Sequence, residues 1–194
     1  MSNRYSFYQL HMACQQHLLA SLYTEQEDPD AFNAGYVEAV TPRHVLLWSV
    51  TPWGQHDGWL LRRTEDILQV YMGDDYEIRL QMLVEIEGEE YAPLLDPAPA
   101  PEEDLLRRVL LLARERGEII SVMTAEDTFT GTVAQVDDLR VTLDLLDFFA
   151  EPDVRAQFAL RDILLVGYDT SEEKMFRKLI QNRPKFFGRF FVRK

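Results

Sequence analysis

The chain has 194 residues, 46% of them apolar, with 33 acids against 20 bases and a formal charge of −13. This apolar content is enough to fill a packed core and argues against intrinsic disorder. A single cysteine excludes an intramolecular disulfide and a zinc site made of cysteines alone. The negative charge disfavours uniform binding along a nucleic-acid backbone, since phosphate contacts need clustered lysines and arginines. No apolar run reaches the about 18 residues of a membrane-spanning helix and no signal peptide is evident, so we expect a cytoplasmic protein without a membrane span.

Helices are predicted over about residues 5–17, 74–87, 102–116 and 171–182. The third has the clearest signals, because Pro101 suits the first helical position and the acids that follow it suit the positive end of the helix dipole. Apolar residues then recur at helical spacing up to Ala113, and Gly117 suits the end of the helix.

Strands are predicted between these helices from period-two alternation and β-branched residues. The segments are GYVEAV, HVLLWSV, GTVAQV and LRVTLDLL. Pro42 and the pair Asp137-Asp138 fall between consecutive strands, where their local chemistry favours tight turns. Each half of the chain therefore predicts an antiparallel sheet with a helix on either side of it.

Four prolines lie within nine residues in the middle of the chain, in the segment APLLDPAPAPEED. Alternating proline and alanine favour extended polyproline geometry over helix or strand. The segment thus predicts a first unit at residues 1–96, a proline-rich linker at 97–101, a second unit at 102–182 and a tail at 183–194.

The two units are similar in sequence. Residues 35–72 aligned with residues 131–168, at a constant offset of 96, give 10 identities in 38 positions without a gap. They include Gly35 with Gly131 and the tripeptide Asp-Ile-Leu at residues 66–68 with its copy at 162–164. Such self-similarity predicts two copies of one five-stranded, helix-capped unit.

The segment GTVAQVDDLRVTL, residues 131–143, resembles the first sequence motif of Sm-like proteins, the family of Sm, LSm and Hfq. It has a strand glycine, alternating apolar positions, an acid at the turn and a return strand. GYVEAVTPRHVLL repeats the pattern, and LRDILLV and RTEDILQV lie where the second motif would be. The resemblance implies two tandem Sm-like five-stranded bent antiparallel barrels, each with an N-terminal and a C-terminal helix.

Sm-like barrels assemble into rings by pairing strand edges, so the resemblance also implies one such contact inside the chain and a free edge at either end. Three copies, each with two barrels, would then form a ring of six barrels, like a hexamer of single-barrel chains. We expect self-association or a protein partner at these edges.

Family-style RNA binding is disfavoured by the residues at the two turns. Sm and LSm proteins carry a Met-Asn pair in the first turn and an Arg-Gly pair in the second. This chain has Arg43-His44 or Leu139-Arg140 in the first turn, and Glu65-Asp66 or Arg161-Asp162 in the second. An aspartate in place of the glycine adds negative charge where a phosphate would approach.

No phosphate-loop, dinucleotide or nucleophile-elbow motif occurs. His11, Cys14 and His17 are spaced three apart, which places the outer two about 240° apart around a helix, so they cannot share one ion. We therefore predict a non-enzymatic protein with no cofactor, metal or catalytic residue. An enzymatic function would require a deep pocket in which titratable groups converge.

The C-terminal end reverses the charge of the rest of the chain, because residues 177–194 contain seven bases and no acid. Bases and phenylalanines alternate there. The candidate binding residues are Arg183, Lys185, Phe186, Phe187, Arg189, Phe190, Phe191 and Arg193, together with Arg140 and Arg161 in the second unit. This composition suits three alternatives. The tail could dock on the chain itself or within an oligomer, it could bind nucleic acid, or it could bind an anionic membrane or another partner.

These observations predict a binding or assembly module built from a tandem Sm-like barrel. The alternative is an RNA-binding riboregulator of the Sm or Hfq type that binds through the tail, Arg140 and Arg161.

Overall fold

A computed structural model describes residues 2–24 and 32–186. The first repeat contains α1 (Ser2–Gln16), β1 (Leu19–Tyr23), β2 (Phe32–Val40), β3 (His44–Val50), β4 (His56–Arg63), a 3-10 turn (Thr64–Asp66), β5 (Gln69–Met72) and α2 (Asp75–Glu87). The second repeat contains α3 (Leu105–Arg116), β6 (Ile119–Met123), β7 (Thr128–Val136), β8 (Arg140–Leu146), β9 (Pro152–Ala159), a 3-10 turn (Leu160–Asp162), β10 (Leu165–Tyr168) and α4 (Ser171–Phe186).

All ten strands of the described residues form one antiparallel sheet in the order β5-β1-β2-β3-β4-β10-β6-β7-β8-β9. The prediction of a mainly β fold with flanking helices is confirmed. The sheet is open, with β5 and β9 at its two ends, and the two tandem Sm-like bent barrels stay a prediction. No helix in the described part of the chain is long and apolar enough to cross a membrane.

The offset of 96 that relates the sequences also relates the structures. Strands β2 to β5 map onto β7 to β10 with identical lengths. The ladder of β2 with β3 shifts register between Val37 and Ala39, and the ladder of β7 with β8 shifts between Val133 and Gln135, the equivalent positions. Both repeats therefore share strand register as well as strand order.

A glycine in the second strand of each repeat permits close backbone packing. A Cβ atom added to Gly35 would lie 2.0 Å from the carbonyl oxygen of Trp48, and one added to Gly131 would lie 2.3 Å from that of Asp144. Any larger residue would push the neighbouring strand away. This contact explains why glycine recurs at these two positions.

Three helix boundaries differ from the prediction by three residues or more, and the first is the start of α1, at Ser2 rather than 5. α3 begins at Leu105 rather than 102, because the Asp104 carboxylate accepts a hydrogen bond from the Arg107 N–H at 3.2 Å and caps the helix. Pro101 is therefore not its first residue. α4 continues to Phe186, four residues beyond the predicted end, so residues 183–186 of the predicted tail are helical.

Candidate functional site

The two repeats meet along the pairing of β4 with β10, which we call the inter-repeat joint. Four residue pairs form it, from Arg62 opposite Leu165 to Trp59 opposite Tyr168. The rings of Trp59 and Tyr168 meet edge to face, with 6.0 Å between their centroids. The joint makes the sheet continuous from one repeat to the next.

Asp57 strengthens the joint from outside the strand ladder. Its Oδ1 atom accepts a hydrogen bond from the Ser171 N–H at 2.6 Å, across the joint at the start of α4. A carboxylate at a helix N-terminus satisfies an otherwise unpaired N–H and faces the positive end of the helix dipole. The first repeat therefore caps a helix of the second.

Gly58 allows the two backbones to approach. It has a φ angle of +68°, and a Cβ atom there would lie 2.4 Å from the carbonyl carbon and oxygen of Asp169. Both the left-handed conformation and the lack of space require glycine.

Apolar burial adds to the strand pairing at the joint. Ala39, Leu46 and Leu61 of the first repeat belong to the same core cluster as the buried side chains of α3 in the second. This α3 lies on both β3 and β7. One hydrophobic core therefore spans the joint, and water does not reach it.

The segment before the linker is held on the first repeat by Glu38. Its carboxylate accepts hydrogen bonds from the N–H groups of Leu94 at 3.0 Å and Leu95 at 2.9 Å, and from the indole N–H of Trp59 at 2.9 Å. Burial raises the pKa of Glu38, and these donors oppose that rise. Leu94 and Leu95 are themselves buried, so this segment is part of the core.

The free edge β9 is the strand of the second repeat that is equivalent to β4 in the first, but the residues around it are polar. Gln135, Thr142 and Gln157 stand where the first repeat has the core residues Ala39, Leu46 and Leu61. Arg155 stands in place of Trp59 and forms an exposed ion pair with Asp144 at 2.6 Å, which lowers the pKa of Asp144. Polar and charged side chains are typical of sheet edges that avoid uncontrolled aggregation.

The other free edge, β5, lies beside a groove of about 500 Å³. Tyr5 and Gln9 of α1 form one wall, and residues 68–72 form the other. The helices α1 and α3 align at an offset of 100, which pairs Leu10 with Leu110 and Ala13 with Ala113. At this offset Tyr5 occupies the position of the buried Leu105 in the second repeat, but Tyr5 is 67% exposed. The groove is open to an added strand.

A cavity of about 570 Å³ lies where the turns of the two repeats approach each other, and we call it the arginine cavity. Its charged lining residues are Arg43, Arg63, Arg140, Arg161, Glu65, Asp104 and Asp138. Arg43 pairs with Asp104 at 3.3 Å and Arg63 with Asp66 at 2.8 Å, whereas the Arg140 guanidinium donates to the amide oxygen of Gln157 at 2.7 Å. The cavity can therefore offer arginine donors to an anion, although nearby acids reduce its positive potential.

His44 lies at the wall of this cavity. Within the described residues its Nδ1 atom is buried without a hydrogen-bond partner. Burial lowers the pKa of His44 to about 4, and the positive charges of Arg43 and Arg63 act in the same direction while Asp104 opposes them. The ring is consequently neutral at pH 7.

The predicted binding residues fall into separate regions. Arg140 and Arg161 meet at the arginine cavity, with Arg43 and Arg63 from the first repeat. Arg183 instead donates to the Ala150 carbonyl, and the Lys185 ammonium donates to the Asn182 side chain at 2.8 Å, so both belong to the end of α4. Phe186 is the last residue of that helix, and its side chain is not described; Phe187, Arg189, Phe190, Phe191 and Arg193 lie outside the described residues.

Sequence analysis missed a buried carboxylate that occurs once in each repeat. Ser21 donates to Glu77 at 2.5 Å, and Ser121 donates to Glu173 at the equivalent place. These contacts attach α2 and α4 to the sheet. The offset of 96 relates Glu77 to Glu173, and the offset of 100 relates Ser21 to Ser121. The recurrence of both residues in the two repeats was therefore the sequence signal that could have revealed this contact.

The histidines that resembled metal ligands do not converge, and His17 lies just beyond the end of α1, with a φ angle of +52°. The His11 ring contacts Phe7 with centroids 4.5 Å apart, whereas the His17 ring stacks on Tyr36 at 4.8 Å. In the part of the chain that the structure describes, no three histidine, cysteine or acidic residues are grouped to hold a metal ion.

Comparison of the chain with protein-family models, curated proteins and solved structures gives no match. The Sm-like resemblance therefore stays a prediction that rests on this sequence.

Proposed function

We propose that the chain is a non-enzymatic assembly module of two Sm-like units, in which β9 of one copy pairs with β5 of the next. The observation that carries this proposal is the inter-repeat joint, where β4 pairs with β10 within one chain. The free edges β9 and β5 are the equivalents of β4 and β10 in the other repeat. An unpaired strand edge is a ready template for such addition.

The joint also supplies the register of the proposed contact. Subtracting 96 from β10 and adding 96 to β4 places Tyr71 opposite Ala156, and Gln69 opposite Phe158. The pairing begins at Arg155, because Val154 has a side chain where Gly58 leaves room for the neighbouring backbone. Three copies joined in this way contain six units, the number in a closed hexamer-like ring.

This contact between copies is weaker than the joint inside the chain. Polar residues stand near β9 in place of the apolar core residues at the joint. At the joint Asp57 bonds to Ser171, whereas the equivalent residues between copies, Asp153 and Asp75, would both be negative. Each chain also carries a net charge of −13, so the copies repel. Association should accordingly be reversible and strengthen as salt screens these charges.

Light scattering tests the proposal over a range of protein concentrations. We expect the mass to approach three times the 22.6 kDa of one chain as protein and salt concentrations rise. Tyr71→Lys with Ala156→Lys places like charges opposite each other and should keep the chain monomeric, whereas Tyr71→Lys with Ala156→Glu should restore association. Trp53→Lys, at the exposed turn between β3 and β4 in the middle of the strand order, is the control. A monomer under all conditions contradicts the proposal.

RNA binding is the second candidate function, and the arginine cavity favours it. Four arginines from the two repeats line one cavity, and single-stranded RNA binds through such donors and loses affinity with salt.

Binding of a labelled single-stranded RNA of ~20 nucleotides tests this candidate by its salt dependence. Replacing Arg140 and Arg161 by alanine should lower the affinity and reduce the logarithmic salt slope by about 1.4, since each lost phosphate contact on a single strand accounts for about 0.7. Arg114→Ala on α3 is the control. Unchanged affinity in the double variant contradicts RNA binding at the cavity, and the mass of the protein should not change in either variant.

A further inference from the structure

One face of α2 presents apolar side chains to solvent. Ile78, Met82 and Ile86 lie four residues apart and are 46%, 58% and 76% exposed. Leu80 and Val84, on the opposite face of the helix, are buried against the sheet. Spacing of four places the three exposed residues on one stripe, which we call the α2 ridge.

The equivalent helix of the second repeat lacks this ridge. Lys174, Lys178 and Asn182 occupy the three positions on α4. The fold is the same in both repeats, so packing within the repeat does not require the apolar side chains. At other positions α4 exposes Met175, Leu179 and Ile180 by 47%, 38% and 39%, so the α2 ridge is the more exposed apolar stripe of the two helices. An exposed apolar stripe of this kind is typical of a binding surface.

The surroundings of the ridge are strongly acidic. Residues 74–90 contain seven acids and a single base, Arg79; Glu77 is buried and the other six acids are at least partly exposed. The Arg79 guanidinium lies 5.6 Å from the centre of the Tyr76 ring. The ridge therefore fits an occupant that is both basic and apolar.

The chain itself contains a segment of this composition. Residues 187–194, FGRFFVRK, have three bases, three phenylalanines, one valine and no acid. They follow α4, where the Arg183 guanidinium donates to the Ala150 carbonyl and places the end of the helix on the second repeat. The acidic and apolar surface and the basic and aromatic segment complement each other in charge and in hydrophobicity.

We propose that the α2 ridge is the docking site of residues 187–194. The phenylalanines cover Ile78, Met82 and Ile86, and the arginines and lysine face the acids around them. This contact does not depend on the pairing of β5 with β9, and it explains why the basic segment and the acidic helix occur in one chain.

Oxidation of Met82 by hydrogen peroxide tests whether the ridge is covered. A chain ending at Phe186 keeps every described residue, and in it Met82 should oxidise at least about threefold faster than in the full chain, because a covered thioether is protected. Met175 on α4 is 47% exposed and serves as the control within the same molecule, so its rate should not change. Salt at 0.5 M, on the order that screens surface charges, should remove the difference.

A synthetic peptide of residues 187–194 added to the shortened chain should restore the protection of Met82. Ile78→Ser with Ile86→Ser should weaken peptide binding by at least about tenfold, whereas Leu179→Ser on α4 should leave it unchanged. The proposal is wrong if Met82 oxidises at the same rate in both chains. It is also wrong if the ridge variant binds the peptide normally, or if Phe148→Ser alone abolishes binding, since the segment would then dock beside β9.

Discussion

The inter-repeat joint and the free edge β9 use equivalent strands but different side chains. At the joint, Leu61 lies in a core shared by both repeats, while Gln157 at the same position of β9 is exposed. A buried apolar patch makes a permanent contact, because it cannot be exposed without losing hydrophobic stabilisation. A polar edge remains compatible with water and can bind and release a partner. The two repeats thus differ less in fold than in how strongly each can hold a neighbour.

The largest effect is expected from giving the joint the polar residue of the free edge. Leu61→Gln should lower the free energy of unfolding by about 2–4 kcal/mol, because it removes buried apolar contacts and buries an amide. Urea denaturation measures this change. Gln157→Leu is the matched control, which should alter stability by less than about 0.5 kcal/mol while increasing self-association. Equal destabilisation by the two substitutions would mean that the joint and the free edge do not differ.

A smaller effect is expected at Gly58, where the joint needs both a positive φ angle and space. Gly58→Ala should lower the free energy of unfolding by about 2–3 kcal/mol. Gly73 also has a positive φ angle, +77°, but no atom lies within 4 Å of where its Cβ atom would be. Gly73→Ala should therefore cost only about 1 kcal/mol, which is the conformational part alone. Similar losses in the two variants would show that crowding at the joint does not matter.

A third effect depends on pH and concerns the arginine cavity, where neutral His44 stands at the position of exposed Arg140. The folded state lowers the pKa of His44 from 6.5 to about 4, so the unfolded chain binds more protons between these values. The contribution of neutral His44 to stability is present above pH 6.5 and is lost as the pH falls towards 4. The free energy of unfolding should change there by up to about 1.4 kcal/mol per pH unit. Urea denaturation between pH 4 and 7 should show that His44→Gln removes this part of the slope. An unchanged slope would mean that His44 is charged or hydrated in the folded protein.

The strands and the repeat were predictable because their signals are local. Alternation in GTVAQV and the matching glycines predicted β2 and β7, and the offset of 96 relates the two repeats along the sheet. The start of α3 was predicted wrongly, because the Asp104 side chain caps the helix three residues after the proline that suggested its first position. Cap geometry depends on backbone angles that composition does not specify.

The candidate site was predictable only in part. Sequence analysis selected Arg140 and Arg161, but it did not place Arg63 in the same cavity, because that residue lies in the other repeat. It did not predict that Asp57 caps α4, because this contact joins residues 114 positions apart. Contacts of this length arise from strand order, which is set by packing of the whole chain.

The amino-acid sequence by itself determined the composition, the duplicated strands and the separation of an acidic body from a basic end, because these follow from residue types and their spacing. Only the tertiary structure decided that β4 pairs with β10, that Glu38 holds Leu94 and Leu95, and that β5 and β9 remain as edges. The physical reason is that each strand has two sides with the same hydrogen-bonding groups. Which neighbour it takes depends on the burial of side chains such as Leu46 and Leu61, and that burial exists only once the two repeats have packed together.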